Sequence, residues 1–202
     1  YSLQQADTLL ENSQKIQKLR VFDIDQGLLG EANFLPAEFG SWSQSLCKPH
    51  LIEFAIPINA CTALEISTKE RLKGKILVVH RGSCSFLAKA WQVFLNGAIG
   101  LIIVNNKENL INMPSESEDA AVGLNIPVLM VRKSAEQLLV AAHKNSSYVQ
   151  IFDSNLCSGL DSKYGTINSI LKAIQAESDA ILQVELDSNA NNIMEDPLYR
   201  GG

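Results

Sequence analysis

Residues 74–106, GKILVVHRGSCSFLAKAWQVFLNGAIGLIIVNN, constrain the fold more than any other stretch. A β-rich apolar run, Ile76 to Val79, meets a tight Arg81-Gly82-Ser83-Cys84 turn, and a helix-like segment follows. Gly97 then precedes a second apolar run, Ile99 to Val104. In the helix-like segment the polar residues Ser85, Lys89, Gln92 and Asn96 recur at helical spacing, which predicts one wet stripe on an otherwise buried helix. The result is a strand–helix–strand unit whose strands are parallel if they share a sheet. Its glycines stand singly, with no loop to cradle a phosphate, and no acid or base is placed beside a nucleophile. The stretch reads as a binding or scaffolding module.

The flanks extend this pattern. Leu3, Ala6, Leu9, Leu10, Ile16 and Leu19 predict an N-terminal helix over 1–19. Short strands broken by Gly27, Gly30, Pro36, Gly40, Pro49 and Pro57 are expected over 20–60. Lys107 to Gly123 reads as a polar surface loop. A second unit follows, with a strand at Ile126–Val131, a helix opened by a Ser134…Gln137 capping box and running to about His143, and a returning strand at Tyr148–Phe152. Residues 154–163 read as a linker. An amphipathic helix over 165–182 carries Ile167, Ile170, Leu171, Ile174, Ile181 and Leu182, and a frayed polar tail is expected from Ser188.

Composition narrows the function classes. A hydrophobic share of 46% supports a real core. The net charge of −5 is concentrated beyond Asp153, where seven acids face three bases. A near-neutral body with an acidic tail argues against nucleic acid, which demands a basic face. The longest apolar runs are too short to cross a bilayer, so no membrane insertion is expected within this chain. The opening residues are polar and do not begin with Met, from which a processed or excised chain is expected.

The four cysteines, Cys47, Cys61, Cys84 and Cys157, form no C-x-x-C pair. They fit either two disulfides in an oxidising compartment or four inert core thiols. Asn145-Ser146-Ser147 is a glycosylation sequon, with Asn145 its acceptor, and Asn59-Ala60-Cys61 is an atypical one. Together these lean towards a secretory lumen.

The candidate chemical groups mostly favour structural roles. His50, His80 and His143 hold no metal-ligand spacing, and His80 lacks a sequence-identifiable partner for acid–base work. Ser83 and Ser85 flank Cys84, but G-S-C-S-F is not a nucleophile elbow. The acidic run at 115–119 lacks the alternating ligands and turn glycine of a calcium loop. No catalytic residue, metal ligand or cofactor is therefore assigned. Trp91 and Phe94 fall on the apolar side of the helix, and Trp42 is the better candidate for an exposed aromatic.

Taken in order, seven segments resemble the protease-associated (PA) domain family. They are Leu35-Pro-Ala-Glu-Phe-Gly40, Ile58-Asn-Ala-Cys-Thr-Ala-Leu64, the run Gly74 to Phe86, Lys89-Ala90, Gly97-Ala98, Val104-Asn-Asn106 and Ile126-Pro-Val-Leu-Met-Val131. Departures are small: two strand residues are shuffled within Ile76–Val79, His80 stands where the family often has another polar residue, and Ala135 falls near a common glycine. With the amphipathic helices that periodicity predicts at both ends, the chain divides into an N-terminal helical extension (1–19), a PA domain (20–153), and a linker, helix and acidic tail (154–202). The resemblance does not explain those end helices; for the domain between them it implies an α/β (α+β) fold with a β-barrel- or sandwich-like core and flanking helices. It also implies a Cys61–Cys84 disulfide, which leaves Cys47 and Cys157 as the remaining pair.

Such domains accompany vacuolar sorting receptors, RING ubiquitin ligases, intramembrane and other peptidases, and mannosidases of endoplasmic-reticulum degradation. The resemblance implies a non-catalytic module for protein interaction or substrate recruitment in the secretory-pathway lumen (endoplasmic reticulum, vacuolar or endosomal) or outside the cell. Its partner would be a protein or peptide, met through loops such as 40–50 and 107–123. Two other readings are an accessory domain joined to a host catalytic domain, and a stand-alone secreted glycoprotein dimerising through its tail helix.

Overall fold

The computed structural model describes residues 17–65, 72–159 and 166–194. Along these described residues run eight strands and three α-helices: β1 (Gln17–Asp23), β2 (Gly27–Ala32), β3 (Phe34–Pro36), β4 (Ile52–Phe54), β5 (Ile76–His80), α1 (Phe86–Leu95), β6 (Gly100–Val104), β7 (Val128–Val131), α2 (Glu136–Lys144), β8 (Tyr148–Asp153) and α3 (Ile167–Met194). Two sheets result, a five-stranded one in the order β3-β7-β6-β5-β4 and a three-stranded one in the order β2-β1-β8.

The strand–helix–strand unit is the centre of the larger sheet. β5 and β6 run parallel, in register from Ile76 opposite Gly100 to His80 opposite Val104. β4 and β7 extend the parallel set on either side, and β3 closes one edge antiparallel. All five residues of β6 are buried, as expected for a parallel strand covered on both faces. Alternation then sends Leu77, Val79, Leu101 and Ile103 to one face, against Leu87, Ala90 and Val93 of α1. Ile76, Val78, Ile102 and Val104 go to the other, where Leu19, Val21, Val149 and Ile151 of the small sheet and Leu139 of α2 meet them. The two sheets thus share a core, and the fold is the mixed α/β, sandwich-like arrangement expected.

Both helices of the core end in the same device. After α1, the Gly97 amide bonds to Phe94 O and the Ala98 amide to Val93 O, with Gly97 at φ 87°. This paired closure needs a left-handed residue, which glycine supplies without strain. After α2, Ser146 takes that place at φ 52°, its amide bonding to His143 O and that of Ser147 to Ala142 O.

Several expectations are corrected. The strand β1 begins at Gln17, so a helix cannot reach residue 19; the rest of that expectation, residues 1–16, lies outside the described residues. Lys89 does not belong to a wet stripe, because it is fully buried. The capping box at Ser134 does not form: Lys133–Ala135 is a 3-10 turn in which the Ala135 amide bonds to Arg132 O and the Glu136 amide to Lys133 O, and α2 starts at Glu136 without a side-chain cap. β8 does not return to the sheet of β7 but pairs antiparallel with β1. Residues 154–159 are a turn fixed to the domain, where the Cys157 amide bonds to Asp153 O at 2.7 Å. The tail helix runs past the expected fraying point to Met194. Trp42 is half-buried against the Cys47, Phe152 and Cys157 cluster rather than exposed.

Candidate functional site

The parallel strands of the larger sheet end together, and the side chains just past their carboxyl ends converge on one edge. In open α/β sheets this edge is where ligands are usually received. β5 delivers His80 and Arg81 there, β6 delivers Asn105 and Asn106, and β7 leads into Lys133 and Glu136. His80 Nε2 meets Glu136 Oε1 at 2.5 Å, so the histidine that lacked a partner in the sequence finds one 56 residues away.

Asn105 organises this edge. It is 1% exposed, and its Oδ1 accepts from Arg81 Nη1 at 3.0 Å while its amide donates to Asn109 O at 2.7 Å. A buried amide with its partners in place ties the end of β6 to the following loop and holds Arg81 in position. The Arg81 guanidinium also lies 5.7 Å from the centre of the Phe86 ring. Beside them opens a cleft of about 670 Å³ lined by Asn106, Lys107, Glu108, Lys133, Ser134 and Glu136, among others. A smaller cleft of about 160 Å³, lined by His80, Arg81 and Asn105, shares Asn106, Lys133 and Glu136 with it, so the two adjoin.

A second opening, of about 550 Å³, lies between Glu38–Gly40 and the segment Ser115–Val122. The expected polar loop 107–123 therefore borders both clefts. It is no loose excursion, because Met113 is fully buried and Trp91 Nε1 donates to Ala120 O at 2.9 Å. Trp91 packs edge-on against Phe94, their ring centres 5.7 Å apart, on the apolar side of α1. Nothing in the polarity pattern of 107–123 signalled the Met113 anchor except the residue itself.

The cysteines stand in two pairs. Cys47 and Cys157, 110 residues apart, are joined and fully buried, and Cys61 is joined to Cys84, 23 residues away. Cys84 is thus no free thiol. Lys89 lies beneath the second bridge, with Nζ 2.7 Å from Asn59 O, 2.6 Å from Gly82 O and 3.4 Å from Cys61 Sγ. Three acceptors match the three N–H groups of an ammonium. Burial pushes the Lys89 pKa below the ordinary lysine value. Ser85 caps α1 by accepting from the Ala88 amide at 3.1 Å, a role its place in the polar stripe concealed.

The other histidines are engaged structurally. His50 Nε2 lies 2.6 Å from Ser45 O, and His143 Nε2 lies 2.8 Å from Glu53 Oε1. Among the described residues no group of three or more His, Cys, Asp or Glu stands close enough together to hold a metal ion. Among them also no helix is long and apolar enough to cross a membrane. Asn145 is exposed at the end of α2, whereas Asn59 turns its Oδ1 back onto the Cys61 amide at 3.1 Å.

The PA domain family matches residues 46–139, from the 3-10 turn before β4 to the middle of α2. These residues form a PA domain. Signal peptide peptidase-like 3 of Arabidopsis thaliana is 30% identical over 72% of this chain and 27% of its own length. Signal peptide peptidase-like 2 of the same plant is 37% identical over 50% of this chain and 18% of its own. Human ER degradation-enhancing alpha-mannosidase-like protein 3 is 26% identical over 62% and 14%. The chain therefore spans about a quarter or less of the length of these relatives. Among solved structures, the aminopeptidase from Aneurinibacillus sp. strain AM-1 shares the fold at a TM-score of 0.50 and 15% identity, over 68% of this chain and 30% of that one. The PA fold thus recurs as one part of larger peptidase and mannosidase-like chains.

Proposed function

We propose that this chain is a non-catalytic recruitment module of a lumenal or secreted protein, receiving an extended protein or peptide segment along the carboxyl edge of its parallel sheet. The observation that carries this reading is the pair of adjoining clefts at that edge, walled by side chains held in place by the Asn105 hydrogen bonds and the His80–Glu136 contact. Lys107 and Lys133 line the cleft beside Glu108 and Glu136, and the two lysines can pair with acidic side chains of a bound segment. The two disulfides and the likeness to endoplasmic-reticulum and secretory proteins support the compartment. In this reading the domain spans 17–153, three residues more than the expected 20–153 because its first strand starts at Gln17, and Asn145 carries a glycan.

The test is selection of a displayed random-peptide library on the wild-type chain and on K107E/K133E. Acid-bearing peptides enriched by the wild type alone are expected; equal enrichment on both chains refutes the assignment of the cleft.

A second reading has its own support. Ile170 and Ile174 of α3 are buried with Phe22, while Ile181, Leu182, Val184 and Leu186 further along the same helix are exposed. In an accessory domain of a larger peptidase or mannosidase-like enzyme, that uncovered part would meet the host catalytic domain.

A further inference from the structure

The two disulfides differ in a way that has chemical consequences. Cys47 and Cys157 are sealed at 0% exposure, packed with Phe152, whereas Cys61 and Cys84 are both half-buried. Cys84 stands between Ser83 and Ser85, both exposed, in the turn that leads into α1. Cys61 faces inward, where Lys89 Nζ approaches its sulfur to 3.4 Å. The bridge is therefore polarised, with a cation beside the Cys61 sulfur, which makes Cys61 the better leaving group and Cys84 the sulfur to be attacked. The backbone adds a second asymmetry. Ala60 at φ 50° and Ser83 at φ 69°, the residues immediately before the two cysteines, both hold the left-handed conformation that side chains disfavour.

We propose that the Cys61–Cys84 bridge is a thiol–disulfide exchange site that accepts an incoming thiol at Cys84 and releases Cys61 as a thiolate held by Lys89. The ligand class is a thiolate, from a small thiol such as glutathione or from a protein dithiol. The incoming thiolate attacks Cys84 Sγ, a new sulfur–sulfur bond forms there, and the Sγ–Sγ bond of the bridge breaks. Its electron pair leaves on Cys61, next to the Lys89 ammonium. A second equivalent of thiol then displaces Cys84, so that the bridge is reduced to two thiols and the reductant leaves as its disulfide. A lower leaving-group pKa speeds this exchange, and a cation at hydrogen-bond distance lowers it. Opening the bridge removes the covalent tie between the Asn59–Cys61 segment and the Arg81–Cys84 turn, which stay joined through the Lys89 contacts to Asn59 O and Gly82 O. The buried Cys47–Cys157 pair serves as an internal control with the same chemistry and no access.

The test is timed exposure of the intact chain to glutathione, followed by alkylation and peptide mass spectrometry. The Cys61–Cys84 bridge is expected to open at least about tenfold faster than Cys47–Cys157, with the transient glutathione adduct on Cys84. K89M should slow opening about three- to tenfold while K89R keeps most of the rate. Equal opening of both bridges, an adduct on Cys61, or a K89M rate equal to wild type each overturns the proposal. Should K89M fail to fold, the adduct position and the ratio of the two opening rates in the wild type decide it.

Discussion

Removing the bridges one at a time should destabilise the chain unequally, by an amount set by the loops they close. In the chain-entropy account a cross-link restricts the unfolded ensemble in proportion to the logarithm of the loop length. The Cys47–Cys157 bridge spans 110 residues and Cys61–Cys84 spans 23. At room temperature these correspond to about 4.8 and about 3.4 kcal/mol, a difference of about 1.4 kcal/mol. Burial acts in the same direction, since Cys47 and Cys157 are fully enclosed with Phe152 and their truncation leaves a void there. C47A/C157A and C61A/C84A, compared by thermal and denaturant unfolding, are therefore expected to differ by about 3–6 °C in Tm, with the long-loop variant the less stable. Two variants of equal stability, or a larger loss for the short loop, would refute loop closure as the main term. The local contacts of Lys89 would then have to carry the second bridge.

Two further outcomes follow from the end of α2. Ser146→Gly replaces a side chain held at φ 52° and keeps the sequon, so it should stabilise by about 1 kcal/mol, read as a rise of about 2–4 °C in Tm. Asn145→Gln, expressed through a secretory pathway, should abolish a glycosidase-sensitive mobility shift that the wild type shows; a wild-type chain with no such shift refutes the glycan at Asn145.

What could be read from the sequence was what local periodicity encodes. The runs Ile76–Val79 and Ile99–Val104 are uniformly apolar because both faces of their sheet are covered, and that signal survives without tertiary information. Long-range choices were hidden. Tyr148–Phe152 has the pattern of a strand whichever sheet it joins, and pairing with β1 rather than with β7 is settled by the shared core of Leu19, Val21, Val149 and Ile151. Lys89 falls in register with Ser85, Gln92 and Asn96, so it looked solvated. Its burial depends on carbonyls of Asn59 and Gly82, one of them 30 residues away, which no helical pattern can show. The His80–Glu136 contact escaped notice for the same reason. The quoted family runs did place the right segments in order, but the cleft beside Lys107 and Lys133 appears only when three strand ends are brought together.

The fold would also separate the tasks of the proposed recruitment module. α2 starts at the cleft, where Glu136 meets His80, and ends near the opposite edge of the sheet, where His143 meets Glu53 and Lys75 leads into β5. Nine residues of helix, about 13 Å, divide the two edges. Beyond the far end lie exposed Asn145 and then Tyr148, which packs with Phe22, Ile170 and Ile174 where α3 docks. A glycan at Asn145 and a connection through α3 would both leave from the edge away from the cleft. A ligand in the cleft and a tether at α3 would therefore not compete for space, and the rigid α2 between them would keep their separation fixed. The loop 107–123 is pinned at Asn109, Met113 and Ala120, while its exposed Lys107 and Glu108 line the cleft, so changes at those two positions would alter what the cleft accepts without disturbing the tether.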